Sequence, residues 1–156
     1  MKKIDMKKVI SNIKTVNKKK LLIFGSAATL IGGTIALVSC NNNNLSALNV
    51  SNCPSLTSLG CNYNTLSSLD ISNCPLLDIL LCDNNNLSML DVSNCSSLTQ
   101  ISCDNNNLSS LDVSNCSSLT QLDCGGNYLS SLDVTNCPLL TDLRCDGSVS
   151  VIGYTR

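Results

Sequence analysis

Cysteine, asparagine and aspartate recur at fixed spacings, and these are the side chains from which any chemistry of this sequence would have to come. The eleven cysteines follow one another at alternating intervals of thirteen and eight residues, from Cys40 to Cys145. Regularly spaced thiols can bind metal ions or form disulfides. The sequence holds no histidine and no Cys-x2-Cys pair, so no metal site is predicted.

Two polar columns share this regularity. An asparagine column stands three residues after a cysteine, at Asn64, Asn85, Asn106 and Asn127. An aspartate column consists of Asp70, Asp91, Asp112 and Asp133. Stacked carboxylates could bind Ca²⁺, but there is no D-x-D-x-D-G loop, so we expect a solvated face in which each Asp accepts bonds from nearby Ser hydroxyls and turn amides. Without a histidine base or a nucleophile elbow, the sequence predicts no catalytic residue, no cofactor and no enzyme activity.

These spacings come from an internal repeat of twenty-one residues that occupies most of the chain from Cys40 onward. The coil beginning at Cys103 reads CDNNNLSSLDVSNCSSLTQLD, which is nearly the string that begins at Cys82. From Leu77 to Leu87 the pattern is LxxLxCxxNxL, which resembles the leucine-rich-repeat consensus of a short strand followed by a turn. The LDVS motif in the second half resembles a bacterial subclass of this family.

The resemblance implies a mainly β fold, a leucine-rich-repeat solenoid of about five to six coils with parallel sheets, over residues 40–156. Ser, Asp and Asn disfavour a helix in the second half of each coil, so two strand-like segments per coil are expected. Cys61 and its equivalents occupy an inward strand position. Parallel side-chain directions in adjacent coils disfavour disulfides, so we expect buried thiols. In this family the asparagine column forms a structural ladder, which we expect of Asn64 and its equivalents.

The residues on either side of each inward cysteine should point outward, onto the concave face that leucine-rich-repeat proteins generally use for partners. They vary from coil to coil while their neighbours do not. The candidate binding face comprises Asn62, Leu81, Asp83, Ser102, Asp104, Asp123, Arg144 and Asp146, with Gly60 and Gly125 between them. Leu81 and Arg144 are the expected anchors, and the absence of Trp and Tyr from this face predicts a weak, polar or multivalent contact.

Residues 1–39 differ from the repeats in composition. Eight lysines precede an uncharged run, LLIFGSAATLIGGTIALV, which leads into Ser39 and Cys40. A basic lead, an apolar segment and a small residue before the cut are typical of a secretory signal. The sequence LVSC resembles the bacterial lipobox, in which the cysteine is diacylated. We therefore predict a hydrophobic N-terminal helix within a lipoprotein signal peptide (1–39), and lipid on Cys40; the alternative is an uncleaved single membrane-spanning helix.

The net charge of the repeats and the last residues of the chain lead to two further predictions. From Cys40 onward two Arg accompany ten Asp and no Glu, a formal charge of −8, which argues against nucleic acid as a partner. The ending DGSVSVIGYTR predicts one last strand around Val149 and Val151, which is either the cap of the solenoid or a truncated end. The sequence thus predicts a membrane-anchored extracytoplasmic module, at the cell surface or the outer face of a bacterial membrane, that binds a protein or cell-surface ligand. The alternative is a structural, self-associating surface-coat lipoprotein.

Overall fold

The computed structural model of the chain describes residues 21–24, 27–30, 37–51 and 53–155. Within those ranges every regular element is a short strand. The strands are β1 Leu21–Phe24, β2 Ala27–Leu30, β3 Leu37–Ser39, β4 Ala47–Asn49, β5 Ser58–Gly60, β6 Ile79–Leu81, β7 Gln100–Ser102, β8 Gln121–Asp123, β9 Ser131–Asp133, β10 Asp142–Arg144 and β11 Ser150–Ile152. The predicted mainly β fold is therefore confirmed for the described residues.

Six of these strands form one parallel sheet, in the order β10-β8-β7-β6-β5-β3. The register advances by one repeat at each step, so that Leu59 pairs with Leu80, and Leu80 with Ile101. Because side chains alternate between the two faces of a strand, a slip of one residue would turn every buried leucine outward. The repeat therefore fixes the register, and the predicted solenoid of 21-residue coils with a parallel sheet is confirmed.

The interior is a stack of leucine, isoleucine, valine and cysteine side chains. Leu59 and Leu80 on the sheet side are fully buried, and Ile71 and Val92 on the opposite side are almost fully buried. Successive coils contribute equivalent buried positions, and together these residues form one continuous cluster. A single coil could not bury such side chains alone, so the fold depends on contacts between neighbouring coils.

The opposite side of each coil, here called the second side, is less regular than the sheet. β2 pairs with β4, an isolated bridge joins Asn49 to Asp70, and β11 pairs with β9. The expected second strand is thus present towards the two ends of the described stack and missing from the coils between them. Each segment on this side is short because it ends in a turn. In one of these turns the backbone amide of Ser93 donates to Asp91 Oδ1 at 2.9 Å.

The apolar segment before Cys40 contains strands where the sequence predicted a hydrophobic helix. β1 and β2 are antiparallel, and β2 lies parallel to β4. An uncharged apolar run fits a strand as well as a helix, and here it extends an edge whose backbone groups would otherwise be unpaired. Other parts of the predicted helix, 25–26 and 31–36, lie outside the described residues, as does the lysine-rich lead. Nowhere in the described ranges is there a helix long and apolar enough to cross a membrane.

At the other end, β11 confirms the predicted last strand. Val149 and Val151 are partly buried against the core, as are Leu143, Cys145 and Tyr154. The hydroxyl of Tyr154 donates to the carbonyl oxygen of Thr141 at 3.1 Å. The last described residues therefore continue the packing of the stack.

Candidate binding surface

The asparagine column ties each coil to the one before it. The Nδ2 of Asn85 donates to the carbonyl oxygens of Cys61 at 3.0 Å and Cys82 at 3.1 Å. Its Oδ1 accepts the amide of Leu66 at 3.0 Å. Equivalent bonds are made by Asn64, Asn106 and Asn127. Since these side chains are engaged with backbone groups inside the stack, we do not include them in a ligand site.

The residue before each ladder asparagine lies in the left-handed region. Asn84 and Asn105 have φ of 54° and 53°, which asparagine tolerates better than most residues. Tyr63 takes the same position with φ of 54°, and Gly126 with φ of 64°. A Cβ on Gly126 would lie 2.5 Å from Asn105 Oδ1. Asparagines of the repeat, such as Asn84 and Asn105, thus form this corner of the coil.

Both cysteine columns point into the interior, and the predicted burial of the cysteines is confirmed, with Cys145 only partly covered. In the column that follows the strands, burial raises the pKa of the Cys82 thiol well above its usual range. In the other column, burial raises the pKa of Cys95 to about 11, and its Sγ donates to the carbonyl oxygen of Ile71 at 3.7 Å. No disulfide joins them, and the described residues contain no group of side chains arranged to hold a metal ion.

The aspartate column lies exposed on the second side. Asp70 Oδ1 accepts the hydroxyl of Ser72 at 2.7 Å and its amide at 3.0 Å. These bonds favour the ionised form and lower the pKa of the Asp70 carboxyl. Asp91, Asp112 and Asp133 have pKa values lowered by the same kind of contact. Each carboxylate therefore closes a turn of its own coil, as the solvated-face interpretation expects.

The outward side of the six-stranded sheet, here called the sheet face, carries two columns on the strands. The first column is Ser58, Ile79, Gln100, Gln121 and Asp142, and the second is Gly60, Leu81, Ser102, Asp123 and Arg144. A third column lies beyond the inward cysteines and contains Asn62, Asp83, Asp104, Gly125 and Asp146. Side chains from β7, β8 and β10 line a shallow depression of about 200 Å³ on this face.

Charge on the sheet face is unevenly distributed. Arg144 lies with its Nε 3.5 Å from Asp142 and its Nη1 3.9 Å from Asp123. Burial raises the pKa of Asp123, and the neighbouring carboxylate of Asp104 adds to that effect. Ser102 Oγ lies 3.0 Å from Asp104 Oδ1 and 3.4 Å from an oxygen of Asp83. Negative charge therefore gathers around Ser102, on the side of the face away from Arg144.

A comparison with solved structures is consistent with this geometry. The functional domain of InlJ from Listeria monocytogenes, described as including a cysteine ladder, is 30% identical to the chain, with a TM-score of 0.69. The match covers 76% of the chain but only 30% of that longer one. Over most of its length the chain is therefore similar to a bacterial leucine-rich-repeat-like solenoid. No protein-family model matches this solenoid, and no curated protein matches it.

The leucine-rich-repeat-like solenoid brings the predicted face residues onto one surface, but it uses some of them internally. Asp146 accepts the amide of Gly126 at 2.9 Å and so supports the corner of the preceding coil. The Oδ1 of Asn62 is buried and accepts no hydrogen bond within the described part of the chain. Leu81, Asp83 and Ser102 are half-buried, whereas Arg144 is exposed.

The first column of the sheet face was not predicted from the sequence. Only the residues beside the inward cysteine were expected on this face, whereas Leu80 is also inward and has an outward neighbour of its own, Ile79. The alternation of side chains along a strand predicts both neighbours, so the signal was present in the sequence. Gln100, Gln121 and Asp142 belong to the candidate surface for the same reason.

Proposed function

We propose that the chain is a membrane-anchored extracytoplasmic module that binds a protein or a cell-surface ligand through the sheet face. The observation that carries this proposal is the contrast between uniformly aliphatic inward positions and chemically varied outward ones. Leu59, Leu80 and Ile101 are buried aliphatic residues at the same position of successive strands. Gly60, Leu81 and Ser102 beside them point outward and differ in size and polarity. Solenoids of stacked repeats offer extended surfaces on which each coil contributes its own contacts.

A pull-down from the native environment tests this face. Leu81→Ala and Arg144→Ala should each reduce capture of partners by the full-length chain. Met89→Ala is the matched control, since Met89 is 75% exposed and lies in the coil that follows Leu81 but outside the sheet face. Partners retained equally by all three variants would contradict the assignment.

The proposed anchor is a lipid on Cys40, supported by the lipobox-like LVSC after the apolar segment. In the folded chain Cys40 is fully buried, and burial raises the pKa of its thiol to about 12. A neutral, enclosed thiol is a poor nucleophile. The lipid must then be attached before the first coil packs, and the acylated residue must stay outside the interior.

Metabolic labelling with azide-tagged palmitate tests the anchor. Cys40→Ala should abolish the label, whereas Cys61→Ala, at the equivalent position one coil later, should keep it. An unlabelled wild type, or a label that persists in Cys40→Ala, would contradict lipidation of Cys40 and favour the alternative anchor, an uncleaved membrane-spanning segment.

The second candidate is a structural, self-associating surface-coat lipoprotein. It is favoured by β11, whose pairing within the described residues is with β9 alone, and by Ile152, which is 52% exposed. An open strand edge is a template for pairing with another chain. Light scattering of the delipidated protein separates the two candidates, because a monodisperse monomer is incompatible with a coat.

We propose no catalytic role for the solenoid. The sequence holds no histidine, and ten of the eleven cysteines are buried inside the stack. Burial raises the pKa of the thiols of Cys40, Cys82 and Cys95 and keeps them neutral at physiological pH, and a neutral thiol is not an effective nucleophile.

A further inference from the structure

Building on the proposed function, we infer that the sheet face binds an extended polypeptide segment that carries an aliphatic side chain close to a lysine or arginine. The aliphatic side chain would pack on Ile79 and Leu81. The cationic side chain would lie among Asp83, Asp104 and Asp123.

The apolar part of this surface is confined to one strand. Ile79 and Leu81 both point outward from β6, two residues apart, and are half-buried. Their neighbours in register are Ser58 and Gly60 on one side and Gln100 and Ser102 on the other. A single aliphatic side chain from a partner would therefore find its apolar contact on β6.

The acidic part adjoins it. Asp83 accepts a bond from the Nδ2 of Asn84 at 3.0 Å, and Asp104 accepts one from Asn105 at 2.7 Å. These donors are neutral amides, and Ser102 has a single hydroxyl proton for the two carboxylates. Of the basic side chains that the structure describes, none forms an ion pair with Asp83 or Asp104. Charge complementarity thus calls for a cation from outside the chain.

The spacing suits an extended segment that runs across the strands. Neighbouring strands lie about 4.8 Å apart, and alternate residues of an extended chain lie about 6.6 Å apart on one side. A residue seated on Leu81 would place the next-but-one residue just past β7, near Ser102, around which the carboxylates of Asp83 and Asp104 lie. The pattern Leu-x-Lys or Leu-x-Arg fits this separation.

The amide side chains favour a polypeptide over a small polyamine. Gln100 and Gln121 lie side by side in register on β7 and β8, beside the acidic part. Each amide offers a donor and an acceptor, which match the N–H and C=O groups of a peptide backbone. A polyamine carries charge but has no acceptor for the amide N–H groups.

Fluorescence anisotropy with the full-length chain tests the inference. The probe is a labelled octapeptide, Ser-Leu-Ser-Lys-Ser-Leu-Ser-Lys, compared with a Lys-to-Glu version, a Leu-to-Ser version and free spermidine as competitor. The lysine peptide should bind most tightly and weaken with added salt, because exposed ion pairs are screened. Equal binding of the glutamate peptide, or equal affinity for spermidine, would overturn the inference.

Two double variants supply a matched test of position. Asp83→Asn with Asp104→Asn should weaken the lysine peptide by about tenfold, since each exposed ion pair contributes up to roughly fivefold in affinity. Asp91→Asn with Asp112→Asn removes the same charge from the same coils on the second side and should leave binding unchanged. Equal losses of affinity in both double variants would mean that binding depends on net charge and not on position, which would contradict the inference. Asn62 and Asn49 already occupy equivalent positions, so both variants should fold.

The two proposals can fail separately. If the peptide does not bind but partner capture still falls in Leu81→Ala, the sheet face binds a partner of other chemistry and this inference alone is wrong. If partner capture is indifferent to Leu81 and Arg144, the proposed function itself is wrong.

Discussion

The two sides of each coil are built on one leucine stack but expose different kinds of side chain. On the second side, Asp70 and Asp91 repeat, and each accepts bonds from the residue two positions ahead. On the sheet face, Leu81 and Arg144 take equivalent positions with unrelated chemistry. An exposed side chain that accepts hydrogen bonds within a turn cannot be replaced without a loss of stability. An exposed side chain without such bonds can be replaced freely. The variable side is therefore the side on which we propose that a partner is recognised.

The largest expected effect comes from the asparagine ladder on the sheet side. Asn85→Ala removes the acceptor of the Leu66 amide. It also removes the donor that the carbonyl oxygens of Cys61 and Cys82 share. Unsatisfied buried groups cost about 1–3 kcal/mol each, so the loss should be about 3 kcal/mol or more. Urea unfolding measures it. Asp91→Ala, on the second side of the same coil, should lose much less, and similar losses would contradict the contrast between the two sides.

The cysteine columns give the next contrast. Cys82→Ser should destabilise the protein by about 2 kcal/mol, because a hydroxyl is buried where the described residues offer the thiol no hydrogen-bond acceptor. Cys95→Ser should cost about 1 kcal/mol or less, since the new hydroxyl inherits the carbonyl of Ile71 as its acceptor. Urea midpoints of the two variants decide the order, and a greater loss in Cys95→Ser would contradict it.

The repeat predicts the sheet better than it predicts the ends. Leu59, Leu80 and Ile101 recur at one period, and that period alone determines which strands pair and which residues are buried. The apolar run before Cys40 has no such period, so hydropathy could not separate strand from helix. β2 became a strand through its contact with β4, a tertiary contact that no local pattern encodes.

The candidate site was predicted in part for a similar reason. Alternation along a strand identifies Leu81 and Ser102 as outward residues from sequence alone. The distances that gather Asp83 and Asp104 around Ser102 depend on rotamers and on the neighbouring coil, which the repeat does not specify. Asp146 was expected to face a partner, yet its carboxylate is engaged by the amide of Gly126.

A smaller effect is expected at the left-handed corner next to the ladder. Tyr63 occupies it with φ of 54° and is 53% exposed, so its ring contributes little to the core. Tyr63→Asn should stabilise the protein by about 0.5–1 kcal/mol, because asparagine tolerates this conformation better. Gly126→Ala should do the opposite, since its Cβ would meet the side chain of Asn105. Thermal melts of both variants measure the difference, and destabilisation by Tyr63→Asn would contradict it.

The smallest effect distinguishes the two sides by its sign. On the second side, bonds from Ser114 lower the pKa of the Asp112 carboxyl. Its contribution to stability is therefore present above the ordinary value of 3.8 and is lost as the pH falls through the lowered value. On the sheet face, burial raises the pKa of Asp123, so protonation favours the fold and stability is lost as the pH rises through the raised value.

An NMR titration of the carboxyl carbons should place the pKa of Asp112 below 3.8 and that of Asp123 above it. Urea midpoints across that range should fall less on acidification in Asp112→Asn and more in Asp123→Asn. If the pKa values of both carboxyls shift in the same direction, the two sides of the coil provide similar electrostatic environments. That result would contradict the electrostatic contrast between them.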